Sequence, residues 1–254
     1  MSAHLTSSAP CLRALLRVTV TAAVVAAPMG FARAAPSAPT TLDLTGFEGR
    51  VRLVLSATDE VRSNTDGWQL TQRQDVLFVQ PRQARARQGD SCGGSAGRTY
   101  VSAPDARQTV EIAIPASTRL LARGFAGTLE SSVALVDARL EIGSGTLRLA
   151  QLVGGDLSVV GTGAATIGEA AGSLSLAVRG PGTIQVQGGR TEQLKATLRG
   201  SGLIHHGGVV RQANLSADGD GEIRVRQVQE PPHSEQTGRA SITTACIGLT
   251  CERR

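Results

Sequence analysis

The sequence predicts an all-β fold, a right-handed parallel β-helix, or solenoid, built from rungs of about 19 residues. Two observations carry this prediction. A Gly-x-Gly triplet recurs five times at a nearly constant interval, and apolar and polar residues alternate with the same phase on both sides of successive triplets. A period near 20 residues with one turn signature per period is typical of a solenoid, in which each rung packs on its neighbours.

The triplets mark the predicted corners between strands. Successive triplets start 18, 19, 20 and 19 residues apart, with glycines at Gly143 and Gly145, Gly161 and Gly163, Gly180 and Gly182, Gly200 and Gly202, and Gly219 and Gly221. A sharp turn favours glycine because glycine accepts a positive φ. In Gly180-Pro181-Gly182 the proline presets the second turn position, so we expect the second glycine to take the positive φ. Gly182→Val should therefore destabilise far more than Ser201→Val.

Alternation with period two separates core from surface along each rung. The predicted inward positions after the triplets are Leu147, Leu149, Ala165, Ile167, Ile184, Val186, Ile204, His206, Ile223 and Val225. Those before the triplets are Leu157, Val159, Leu174, Leu176, Val178, Leu194, Ala196, Leu198, Ala213, Leu215 and Ala217. The rung that ends at Ile142 is offset by one residue, which predicts a bulge. A second glycine column at Gly168, Gly188/Gly189 and Gly207/Gly208 predicts another corner.

The predicted solenoid domain covers residues 42–228. Strand-like runs at 50–55, 68–70, 76–79 and 109–114 belong to an N-terminal cap over 42–115, and rungs follow over 116–228. Gly124-Phe125-Ala126-Gly127 fits a degenerate first rung. Residues 229–254 are predicted to form a linker and a C-terminal tail, with 241–250 as a terminal strand or cap. Such caps restrain end-to-end self-association, which otherwise follows from unpaired solenoid edges.

The first 34 residues have the pattern of a secretory signal peptide. Arg13 and Arg17 precede a short apolar run, and small residues flank a predicted cut near Ala34. The run is too short for a transmembrane anchor, and residues 35–41 form a flexible leader. Three of the 26 basic residues and no acidic residue lie before residue 35, so 23 basic and 21 acidic residues remain. This balance does not favour nucleic acid as a partner.

Cleavage leaves three cysteines. In an oxidising compartment, Cys246 and Cys251 are placed to form a disulfide that leaves Cys92 free, and pairing of Cys92 with either tail cysteine is the alternative. The Cys-x4-Cys spacing without companion ligands is weak support for a metal site.

Few residues suggest a functional site, and none suggests a cofactor. Asp218, Asp220 and Glu222 form an acidic corner, a weak candidate for Ca²⁺, with a solvated turn as the simpler interpretation. Arg179 and Arg199 fall in one column with Asp218, either as an exposed charge ladder or as an anion-binding stripe. His206 takes a core position, and Arg82, Arg85 and Arg87 lie in a surface loop.

The strands punctuated by Gly-(Ser/Thr/Asp)-Gly, as in residues 198–204 and 217–223, resemble the putative auto-transporter adhesin head domain, also called the GIN domain or DUF2807. The resemblance covers about residues 42–228 and implies a bacterial β-helix that is secreted or held in the envelope. It supplies no catalytic residues. The sequence therefore favours a non-catalytic binding or scaffolding module, periplasmic or at the cell surface, whose ligand is a protein or a polysaccharide. The alternative is a polysaccharide lyase or hydrolase that uses the acidic corner.

Overall fold

A computed structural model describes residues 41–58, 60–63, 68–73, 76–81, 109–116 and 118–246, and every regular element in these ranges is a β-strand. All thirteen strands join in one sheet, with mostly parallel pairing, that coils into a solenoid with a repeat of about 19 residues. The predicted β-solenoid class is thereby confirmed. The strands are β1 (Thr41–Asp43), β2 (Glu48–Leu55), β3 (Arg62–Ser63), β4 (Trp68–Arg73), β5 (Val76–Pro81), β6 (Thr109–Ile114), β7 (Arg119–Val160), β8 (Ala164–Arg179), β9 (Thr183–Gly200), β10 (Leu203–Gly219), β11 (Glu222–Val228), β12 (His233–Gly238) and β13 (Ser241–Cys246).

The central rungs each have two walls. In β9, residues 183–187 follow a triplet and belong to the wall we call wall A, and residues 193–199 precede the next triplet and belong to wall B. Both walls stack in parallel register: Thr183 pairs with Ala164 and Leu203, and Lys195 pairs with Ser175 and Asn214. The register shifts between the two walls, between Gly172 and Ser173 for example, mark the second corner.

The core lies between the two walls and is lined by the inward positions expected from the alternation. Every one of the 21 inward residues predicted beside the triplets is buried. Leu140 and Ile142 are buried as well, which places them one residue out of phase with the later rungs, as the sequence indicates. A strict period of two with one buried face specifies register strongly, because a one-residue slip would turn the whole apolar set outward.

At the later corners the positive φ belongs to the first glycine of the triplet. The φ angles are 101° at Gly161, 109° at Gly180, 117° at Gly200 and 115° at Gly219. Gly182 has no positive φ, so the reason given for its sensitivity was wrong. At the first triplet, Gly143 also lacks a positive φ, and β7 passes through without a break.

The second glycine of each triplet is required by close approach between rungs. A Cβ added at Gly182 would lie 2.5 Å from Cγ1 of Val159 and 2.8 Å from the carbonyl oxygen of Gly161. The carbonyl of Gly182 in turn accepts a hydrogen bond from the backbone N–H of Leu203, at 3.1 Å. The column therefore consists of backbone packed on backbone, a use of glycine that does not depend on φ.

The N-terminal segment forms a rung of its own, stacked on the start of β7. Gly46-Phe47-Glu48-Gly49 lies beside Gly124-Phe125-Ala126-Gly127, with the pairs Glu48–Ala126 and Gly49–Gly127 in register. The glycines match in φ: 69° and 62° at the first positions, 135° and 139° at the last. The rings of Phe47 and Phe125 stack with centroids 6.0 Å apart. These rings fill the core where the chain enters the solenoid.

The N-terminal end of the solenoid is closed by strands of mixed direction. β1 lies between β5 and β7, and β2 lies between β6 and β7, all in parallel. β4 then pairs antiparallel to β5, and β3 pairs antiparallel to β6. Short antiparallel additions of this kind interrupt the parallel ladder at the edge where another rung would otherwise add.

At the other end, the solenoid continues beyond Val228. β12 stacks on wall B of β10 with Gly238 opposite Gly219, and β13 stacks on β11 with Ser241 opposite Glu222. Gly238 has a φ of 76°, as expected for a further corner. All six residues of β12 are exposed, and the core positions beside Leu215 and Ala217 are taken by Ser234 and Gln236. The wall B part of the terminal rung thus presents polar side chains, whereas Ala240 and Ile242 still pack against the core.

Several sequence predictions fall outside the described residues. These are the signal peptide, most of the leader, the arginine loop, Cys92, Cys251, and the side chain of Cys246, so the disulfide pairing stays a prediction. Among the described residues, no helix is present that has the length and apolar character needed to cross a membrane.

Candidate ligand-binding groove

A groove of about 720 Å³ runs across six successive rungs along the edge of wall B. It crosses the strands and so follows the solenoid axis. Its lining residues are Asp137, Val153, Gly154, Gly155, Asp156, Ser173, Leu174, Ser175, Gln193, Leu194, Lys195, Gln212, Ala213, Asn214, Glu230, Pro231 and His233. The volume is in the range of small-molecule sites.

The strand register arranges the lining into three parallel rows. The floor row is apolar or glycine: Gly155, Leu174, Leu194 and Ala213. One polar row contains Ser173, Gln193 and Gln212. The other contains Asp156, Ser175, Lys195, Asn214 and His233. Because paired strands lie about 4.8 Å apart, polar groups repeat along the groove at that interval.

At one end of the groove, the second corner packs a glycine of the floor row against the backbone of the previous rung. Gly155 has a φ of 129°, and a Cβ on it would lie 2.2 Å from the carbonyl oxygen of Ala138. Asp137, beside this point, has a φ of 52°, and among the described residues other than glycine no other φ is positive. Aspartate tolerates this conformation better than most residues. Gly155 therefore lets its rung pack directly on the backbone of the previous rung at this end of the groove.

Arginines neutralise the carboxylates that line the groove. Asp137 is 3.4 Å from Nε of Arg119, and Asp156 is 4.0 Å from Nε of Arg139. Glu230 accepts from Nη1 of Arg211 at 3.3 Å and from Nε2 of Gln212 at 2.7 Å. His233 contacts Glu235 at 3.3 Å. Among the described residues, Lys195 is then the one charged lining group without a counterion.

Several polar lining side chains keep their hydrogen-bonding capacity free. Within the described part of the chain, no hydrogen bond or ion pair engages the side chains of Ser173, Ser175, Gln193, Lys195 and Asn214. Hydroxyl and amide groups both donate and accept. The groove therefore offers free donors and acceptors in rows above an apolar floor, an arrangement suited to binding rather than to proton transfer.

The acidic corner does not assemble into a cation site. Asp220 is ion-paired with Nε of Arg239 at 3.4 Å, and Glu222 is hydrogen-bonded to Nε of Arg224. Among the described residues, no group of three His, Cys, Asp or Glu side chains is placed to hold a metal ion. Asp218, the third carboxylate, lies on wall B in register with Arg199.

His206 lies in the core as expected, and its environment is unusual for a histidine. Nε2 is 3.0 Å from Oγ1 of Thr191, and Nδ1 has no hydrogen-bond partner within the described structure. Burial lowers the pKa of His206 from 6.5 to about 4, with smaller opposing effects from nearby backbone and a small further lowering by His205. His206 is therefore a neutral core group at neutral pH.

The groove was not predicted from the sequence. The signal that could have found it is the column of polar residues at a spacing of 19 or 20: Asp156, Ser175, Lys195, Asn214 and His233. Each of these residues stands five positions before the glycine that begins the next corner. The second corner behind them shifts register, so alternation alone does not show that their side chains line one groove.

The fold and the groove together define a class: a β-solenoid with an axial groove suited to binding. A solved structure from Bacteroides fragilis, described as a putative adhesin, is similar to this chain with a TM-score of 0.53 and 16% sequence identity. The similarity covers 82% of this chain and 92% of that one. No protein-family model matches the chain. No curated protein matches it.

Proposed function

We propose that this chain is an exported, non-catalytic, adhesin-like binding module of the bacterial envelope that holds its ligand in the axial groove. The observation that carries the proposal is the groove itself, with free polar side chains in rows on both sides of an apolar floor. Each of its described carboxylates, Asp137, Asp156 and Glu230, forms an ion pair with an arginine, so the described lining offers no pair of free carboxylates of the kind that glycoside hydrolysis uses. The acidic corner gives the enzyme alternative no further support.

In this proposal, the location of the protein and its family are both inferred from the sequence. Export rests on the first 34 residues, and GIN-domain membership rests on the Gly-x-Gly strands. The adhesin-like solved neighbour supports the fold that both imply. The ligand belongs to the envelope or to the exterior, and a small-molecule cofactor is not part of the proposal.

Filling the groove with an aliphatic side chain tests the binding role. Ser175 lies in β8, partly buried, between Asp156 and Lys195 in one polar row, and Ser175→Leu should weaken ligand binding by about tenfold or more by occupying the groove and removing a polar group. The measurement is biolayer interferometry on immobilised protein, with a panel of bacterial capsular polysaccharides and host matrix polysaccharides and proteins as probes.

Thr166→Leu is the matched control. Thr166 lies in the same strand and is partly buried to a similar degree, but it faces outward on wall A. We expect Thr166→Leu to bind as the wild type does. Equal binding by the two variants, or no binding of any probe by the wild type, would contradict the proposed groove function.

A further inference from the structure

Wall B carries two adjacent arginines that form no ion pair with any described residue. Arg179 pairs in register with Arg199, and both side chains are exposed. The column continues to Asp218, but no ion pair within 4.0 Å joins Asp218 to Arg199 in the described structure. Like charges directly opposite one another on paired strands are destabilising. The repulsion between Arg179 and Arg199 is therefore offset locally only by Asp218, which stands opposite Arg199 without forming an ion pair with it.

The pair differs from two of the arginines on wall A, although Arg226 of wall A also forms no ion pair in the described structure. Arg148 is ion-paired with Glu130 at 3.4 Å, and Arg224 is hydrogen-bonded to Glu222. All four of these arginines are exposed, so exposure alone does not explain the difference. What distinguishes wall B is that it also carries Lys195, the unpaired cation of the groove.

Lys195 and Arg199 lie on one strand and face the same way. They are four residues apart in β9, which corresponds to about 13 Å. Between their columns lie the small side chains of Ser158, Ala177, Thr197 and Ser216, and the column ends in the terminal rung at Glu235, which pairs with His233. A flat surface thus connects the groove to the arginine pair, with three unpaired positive charges along it.

We propose that the groove ligand is an anionic glycan whose acidic groups bind Lys195 and the Arg179–Arg199 pair; this rests on the proposed binding role of the groove. Guanidinium groups bind carboxylate and sulfate through paired N–H donors. Sugar hydroxyls match the free hydroxyl and amide side chains of the groove. A peptide strand gains most of its affinity from a sheet edge, which this surface does not offer. The rungs from 143 to 228 contain no aromatic residue for stacking of nucleic-acid bases.

The test uses two pairs of polymers that differ in charge. Polygalacturonate and its fully methyl-esterified form separate carboxylate from neutral sugar, and dextran sulfate and dextran separate sulfate from neutral sugar. We expect an anionic member to bind and its neutral counterpart to bind at least about tenfold more weakly. Affinity should fall between about 0.1 M and about 1 M salt, where the screening length drops from about 10 Å to about 3 Å.

Variants of equal charge locate the site. Arg179→Gln with Arg199→Gln should reduce binding at least about tenfold, while Arg148→Gln with Arg224→Gln, which removes the same charge from wall A, should leave it unchanged. Asp218→Asn, which removes the one acidic neighbour of the pair, should tighten binding. Thermal unfolding confirms that each variant is folded.

The outcomes separate the two proposals. Equal binding of neutral and anionic polymers, or undiminished binding by the Arg179→Gln/Arg199→Gln variant, would overturn the anionic-glycan inference. If Ser175→Leu still abolishes binding in that case, the groove function stands and only the ligand class is wrong. If neither Ser175→Leu nor Arg179→Gln/Arg199→Gln weakens binding, both proposals fail.

Discussion

Replacing Gly202 with alanine is expected to lower the free energy of unfolding by about 3 kcal/mol. A Cβ at this position would lie 2.4 Å from the carbonyl oxygen of Gly182 and 2.6 Å from Cγ1 of Val178. Neither the backbone nor the buried valine can move without disturbing the neighbouring rung, since Gly202 itself accepts a hydrogen bond from the N–H of Glu222 at 3.0 Å. Urea denaturation followed by circular dichroism gives the measurement.

Ser201→Ala is the control within the same triplet. Ser201 is exposed at the corner, so its replacement should change the unfolding free energy by less than about 0.5 kcal/mol. Comparable losses for the two variants would show that the glycine column is not held by close packing. Gly182→Val should likewise remain far more destabilising than Ser201→Val, although the cause is steric overlap and not φ.

The walls of the solenoid could be predicted because each strand buries one face. Residues such as Ile184 and Val186 alternate with polar neighbours in the same phase as Ile204 and His206 one rung later. Burial of that face then determines which residues point inward, and the constant spacing between triplets determines which residues stack. The alternation and the triplet spacing can both be read from the sequence, and together they predict which residues form the core.

The corner geometry could not be assigned from the triplet alone. Both glycines of a triplet look equivalent in sequence, yet Gly180 needs its φ of 109° and Gly182 needs the absence of a Cβ. The second requirement arises from the previous rung, 19 residues away in the chain, so it appears only when two rungs are stacked.

Two rungs were detectable but are degenerate. Gly46-Phe47-Glu48-Gly49 repeats as Gly124-Phe125-Ala126-Gly127. This repeat is hard to recognise because the two copies are 78 residues apart, whereas neighbouring triplets are one period apart. Gly238 lies 19 residues after Gly219, but the triplet there ends in Ala240 and the inward positions of β12 are polar. A terminal rung has no neighbour on one side, so its sequence need not be apolar.

The binding groove was hidden for a related reason. Its polar rows lie beside the second corner, where the register shifts and the number of residues per corner varies from rung to rung. Ser175, Lys195 and Asn214 each stand five residues before a triplet, so their column follows from the sequence, but their position at the rim of a groove depends on the corner geometry. The arginine pair on wall B was visible as a column, but its lack of an acidic partner depends on side-chain positions.

Acidification from about pH 7 to about pH 4 is expected to remove about 3 kcal/mol of stability through His206 alone. Burial lowers the pKa of the folded-state imidazole from 6.5 to about 4. Between these values the unfolded chain binds a proton that the folded chain does not, so each falling pH unit favours unfolding. The stability linked to the neutral imidazole of His206 is fully present above the unfolded-state pKa of 6.5. It is lost as the pH falls from 6.5 toward 4, and the loss does not grow further below about pH 4.

The stacked neighbours of His206 supply the control. His206 is in register with Val186 and Val225, and its partner Thr191 is in register with Val210. His206→Val combined with Thr191→Val therefore extends two existing valine columns without leaving a buried hydroxyl unpaired. Denaturation at three pH values should show that acidification lowers the free energy of unfolding of the double variant by about 3 kcal/mol less than that of the wild type. The His205→Gln variant should behave as the wild type does. Parallel pH profiles for the wild type and the double variant would mean that His206 is charged or solvated in the folded core.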